Sequence, residues 1–98
     1  MSRRDEVALR IPAVPAFLSL ALVAAGGAAR RAGFSGAESD RLKRAVTREC
    51  DALVAGLGGH DRIALDLHYV ICDGALEVAG EVGPPTRSFR IVFRREAR

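Results

Sequence analysis

The sequence predicts an α+β fold, a two-layer sandwich in the order β-α-α-β-β-β with both helices on one face of a mainly antiparallel sheet. Three observations carry that prediction. A long apolar stretch and a capped amphipathic stretch follow one another as two helices in the first half of the chain. From Ile63 onward the apolar residues alternate instead, the period of strands. The dipeptide Asp73-Gly74 then divides the alternating half, as a hairpin turn does.

The elements follow in order. Val7-Ala8-Leu9-Arg10-Ile11 alternates and reads as a first strand that Pro12 closes. Pro15 suits a first helical turn, so a helix runs from about Pro15 to Arg31 and stops at Gly33. Ser35-Gly36-Ala37-Glu38 is a capping box, in which the Ser35 hydroxyl and the Glu38 carboxylate satisfy otherwise orphaned amides. The helix it opens carries Leu42, Val46, Leu53, Val54 and Leu57 on one stripe with Cys50 among them, and Gly58-Gly59 ends it. In the next strand Ile63, Leu65, Leu67, Tyr69 and Ile71 share one face, and Arg62, Ala64, Asp66, His68 and Val70 the other. A third strand turns Leu76, Val78 and Val82 inward and Glu77 and Glu81 outward. Pro84-Pro85 forces a turn, after which Phe89, Ile91 and Phe93 line the inner face of a last strand.

A chain of 98 residues has room for one core, so residues 1–98 form a single domain. With 49% hydrophobic and 28% charged residues it has the balance of a globular domain and not of a disordered tail. Cys50 and Cys72 are too few for a disulfide framework. These features exclude a multidomain enzyme, a cystine-stapled secreted module and a disordered linker.

The net charge is +3, and every basic residue except Lys43 is Arg. Arg87, Arg90, Arg94, Arg95 and Arg98 crowd the C-terminal end, as a nucleic-acid or acidic-lipid patch would. No helix-turn-helix or zinc-finger pattern accompanies them, and a solvated basic strand edge is the preferred reading. The uncharged stretch Ile11–Ala29 has the look of a signal peptide or membrane span. Asp5 and Glu6 before it, the early Pro12 and Pro15, and the pair Gly26-Gly27 within it all argue otherwise. The expected location is the cytoplasm.

Three stretches resemble one family: LRIPAVPAFLSLA at the start, AGFSGAESDRLKRAV into the second helix, and LEVAGEVG in the third strand. They are similar to the anti-sigma-factor serine kinases of bacterial partner switching, within the gyrase, histidine-kinase and chaperone ATPase superfamily. The resemblance implies that the second helix should carry a general-base Glu, a magnesium-ligating Asn four residues on, and often a His beyond it. Anchored on Ala45-Val46 and Cys50, those places hold Arg48, Ala52 and Gly56. Arg48 cannot accept a proton, and Ala52 has no oxygen to offer a hard cation. Glu49 adjoins the base position but is rotated from it by about 100°. The adenine-reading Asp-x-Gly is also missing; Glu81-Val82-Gly83 is a shifted imitation at best. Where the phosphate loop and lid should follow there is only Pro84-Pro85-Thr86-Arg87. The resemblance is thus to a truncated form, lacking the lid and with a degenerate site, for which no nucleotide or other cofactor is expected.

Other constellations are weak. Cys50, His60, His68 and Cys72 do not have the spacing of a zinc site. Glu77 and Glu81 beside Arg90 and Arg94 read as cross-strand charge pairs and not as an acid–base couple. The first helix is more informative, because Phe17 to Ala29 contains only Ser19 as a polar residue. A helix that is apolar all round is covered on two sides. Leu22, Ala21, Val23, Ala25, Gly26 and Ala29 are therefore expected at a homodimer interface.

The leading expectation is a non-enzymatic, anti-sigma-factor-like interaction module whose partner is a protein, a sigma factor or another regulator. The alternatives are an ATP-dependent serine kinase and a nucleic-acid-binding protein using the Arg-rich last strand.

Overall fold

The computed structural model describes residues 4–57 and 62–96. The helix stop expected at Gly58-Gly59, together with His60 and Arg98, lies outside the described residues. Strand β1 spans Arg4–Pro12, and a 3-10 turn at Pro15–Phe17 leads into helix α1, Leu18–Arg31. Helix α2 is Gly36–Ala55, and strands β2, β3 and β4 are Ala64–Cys72, Ala75–Val82 and Arg87–Arg94. The sheet has the order β1-β2-β3-β4 and is antiparallel throughout, with both helices on one face. This is the predicted architecture.

β1 begins three residues earlier than its alternation indicates, because pairing with β2 continues from Val7↔Tyr69 out to Arg4↔Cys72. The charged residues there have partners on both sides of the sheet. Asp5 accepts from Arg31 of α1 at 2.6 Å, and Glu6 lies 2.8 Å from His68 Nε2 on the open face.

α1 ends in a Schellman motif. Gly33 adopts φ +84°, its amide donates to Arg30 O at 3.1 Å, and the Phe34 amide donates to Ala29 O at 3.0 Å. The hairpin tip then seals this end: Gly74, at φ +76°, donates to Ala32 O at 2.8 Å and accepts from the Arg95 amide at 2.7 Å.

The capping box at Ser35 forms in full and does more than cap. Glu38 accepts from the Ser35 amide through Oε1 and from the Glu96 amide through Oε2, each at 2.7 Å. The start of α2 is thereby tied to the exit of β4, and Arg41 pairs with Glu96 beside it. These two backbone donors, Glu96 first, lower the Glu38 pKa. A depressed carboxylate pKa stabilises the fold above the unfolded value and ceases to do so as pH falls through the folded value. In Glu38→Gln the second oxygen becomes a donor facing the Glu96 amide. Its thermal midpoint should therefore fall below that of the wild type near neutrality. The gap should close on acidification, and a constant gap from neutral to acid pH would refute the linkage.

The core lies between the helices and the sheet. Leu42, Val46, Cys50, Leu53 and Val54 come from α2, as its stripe predicts, and Ala21, Ala25, Ala28 and Ala29 from α1. Beneath them sit Leu65, Leu67, Tyr69 and Ile71 of β2 with Leu76, Val78 and Val82 of β3. Tyr69, the largest fully buried side chain, donates its hydroxyl to Ala21 O at 2.8 Å. The small alanines let α1 lie close enough for that bond. A buried hydroxyl without a partner would cost about 1–3 kcal/mol.

Candidate functional site

Arg48, Ala52 and Gly56 are four residues apart along α2, so they share one side of it, and that side is exposed. The opposite stripe faces the sheet. Glu49, one step round, is half-buried. At the end of the stripe Arg87 arrives from β4, its Nη2 3.4 Å from Ala52 O. Its guanidinium occupies the space where a Cβ on Gly56 would stand. A cation there also suits the negative end of the helix dipole.

Glu81 is on the other side of the molecule. In register it faces Asp66 on β2 and Ser88 on β4, on the open face of the sheet, while its neighbours Gly80 and Val82 turn toward the helices. The sheet therefore separates Glu81 from Arg48 and Ala52. Gly83 opens the turn from β3 to β4, whose flanking residues Val82 and Arg87 pair directly. The turn is tight: a Cβ on Gly83 would come within 2.8 Å of Thr86 Cα. So the structure scatters the five candidate residues between the outer side of α2, a turn, and the far face of the sheet.

Among the described residues no group of three or more His, Cys, Asp or Glu could hold a metal ion. His68 and Cys72 do share the outer face of β2, but His68 is beside Glu6. Burial pushes the Cys50 thiol up to about 11, which leaves it a packing residue and not a nucleophile. Glu77 pairs across strands with Arg90 at 2.7 Å, as expected, whereas Glu81 and Arg94 have no ion-pair partner among the described residues. The C-terminal arginines among the described residues do not make one stripe. Arg87 goes to α2, Arg90 and Arg94 to the open face, and Arg95 to the loops at Gly33 and Gly74.

The first helix corrects the expected interface. Ala21, Ala25 and Ala29 have no exposed surface, since they face the protein's own sheet. They are unavailable to a second chain. Gly26 is half-buried under the Lys43 side chain, whose Cε would be 3.1 Å from a Cβ there, and Leu22 packs partly on the core. Val23, 74% exposed, is the interface candidate that does point outward, and Phe17 and Leu20 join it. In the described residues no helix is long and apolar enough to cross a membrane.

The sequence reading missed a groove of about 440 Å³ between α1 and α2 in which Leu22, Val23 and Phe34 meet Arg30 and Lys43. The signal available was chemical: Lys43 is the lone lysine and Gly27 a glycine inside a helix.

No family model matches the chain. It is 33% identical over 75 residues to the serine-protein kinase RsbW of Listeria monocytogenes serotype 4a (strain HCC23). The identity is the same for the serine-protein kinase RsbW of two serotype 4b strains, CLIP80459 and F2365. The matched stretch is 76% of this chain and 48% of each relative, so the chain spans about half the length of the curated relatives it matches. This likeness supports kinship with the serine-protein kinase family that the sequence resembles.

Proposed function

We propose that the chain is a non-catalytic protein-interaction module, a regulator of the anti-sigma-factor type that has lost nucleotide binding. One observation carries this. The positions matching the family's base and magnesium ligand hold Arg48 and Ala52, and the carboxylate within the adenine-motif stretch, Glu81, sits across the sheet from them. Arg87 supports it by filling the space beside Gly56. The partner is a protein, a sigma factor or another regulator in the cytoplasm, and nucleic acid finds no continuous cationic stripe among the described residues. Calorimetry with ATP and ADP, with and without magnesium, should give no binding heat. A micromolar affinity would overturn the reading in favour of an ATP-dependent kinase.

Self-association belongs to the same proposal, through Phe17 and Leu20 alone, at the start of α1 and before the turn that carries Val23. Light scattering should give a dimer for the wild type at tens of micromolar, and a monomer for Leu20→Arg with unchanged circular dichroism. A monomeric wild type removes the dimer and leaves the module.

A further inference from the structure

Gly27 lies in the interior of α1, where glycine weakens a helix relative to alanine. Nothing in the fold asks for it. Its φ is not positive, and a Cβ built on it meets no atom within 4 Å. Gly36 opposite, in the first turn of α2, is equally unobstructed. Gly26 differs, because the Lys43 stem lies across it. Both bare backbones line the groove between α1 and α2. Leu22, Val23 and Phe34 give it an apolar strip beside its polar lining, and Val23 is the most exposed of the large apolar side chains among the described residues.

Its charge has one sign. Arg30 and Lys43 line it, no carboxylate does, and neither cation has an ion-pair partner among the described residues. The geometry points to this groove as the docking site for an acidic amphipathic helix of a different protein, its apolar stripe over Val23 and its carboxylates against Arg30 and Lys43. The shape suits a helix because two packed helices leave a third such a furrow, and Gly27 and Gly36 admit a close approach. A second copy fits poorly: the chain carries +3, and a two-fold contact centred here would set Arg30 and Lys43 against their own copies. The inference rests on the reading of the chain as an interaction module and names the partner's chemistry.

The test is a display selection of helix-biased peptides, about four turns long, against the intact chain. Enriched peptides should carry apolar residues at i, i+3 or i+4, and i+7, flanked by Glu or Asp. The best of them should shift the amide resonances of Val23, Gly27 and Lys43. Arg30→Glu with Lys43→Glu should weaken it about tenfold or more. Gly27→Leu is the decisive variant, since it fills the groove while favouring the helix. It should abolish binding and raise the thermal midpoint. No enrichment, enrichment without acidic bias, or binding that survives Gly27→Leu would each overturn the groove. Binding lost instead in Val92→Asp, on the open sheet face, would overturn it while leaving the interaction-module reading standing.

Discussion

Ala25→Arg should abolish the cooperative thermal transition of this protein, while Val23→Arg leaves it nearly unchanged. The two positions are neighbours on α1 and differ only in direction: Ala25 is 0% exposed and Val23 is 74% exposed. Ala25 lies in the same buried cluster as Tyr69 and Val46, and no polar or charged residue is buried among the described residues. A guanidinium forced in there finds no carboxylate. Burial of an unpaired charge costs several kcal/mol, and overpacking adds about 1–3 kcal/mol. A domain of this size has a total stability of about 5–15 kcal/mol. Circular dichroism melts of both variants settle the matter. A folded Ala25→Arg with the wild-type midpoint would mean that α1 turns this stripe away from its own core, as the homodimer interface expected from the sequence requires.

That contrast shows where sequence reasoning stops. The change of period at Ile63, the Ser35–Glu38 capping box and the Asp73-Gly74 turn are local signals, and each forms as read. The alternation also identifies the inward face of all three later strands, because a residue's side of the sheet follows from parity alone. α1 carries no such mark. Ala, Leu, Val and Gly surround it, and small alanines, not the larger Leu20 and Val23, take the core side. That orientation goes with a contact remote in sequence, the Tyr69 hydroxyl donating to Ala21 O. At the site, the missing chemistry of Arg48 and Ala52 was legible because it depends on residue type. The position of Arg87 over Gly56 was not, since it requires the β3–β4 register that pairs Val82 with Arg87.

The same register leads to the second large effect, at Gly80. This residue is buried in the middle of β3, opposite Leu67 on one side and Phe89 on the other. The Phe89 ring lies across it. A Cβ on Gly80 would collide with Phe89 Cε2 and stand 2.8 Å from Cζ and 3.0 Å from Cδ2. Gly80→Ala should therefore destabilise by about 1–3 kcal/mol despite the gain in strand propensity, the ring being pushed off the sheet. Phe89→Leu alone should cost less, because Phe89 is only half-buried. In the double variant the clash is gone, so the two losses should fall short of additive by about 0.5 kcal/mol or more. Phe89 and Arg87 are two residues apart on β4 and point to the same side. Gly80→Ala should thus also loosen Arg87 from Ala52, and amide exchange in the last turn of α2 should quicken while that of β1 does not. Strictly additive losses in urea, with unchanged exchange at Leu53 to Ala55, would place the Phe89 ring away from Gly80 and refute the coupling.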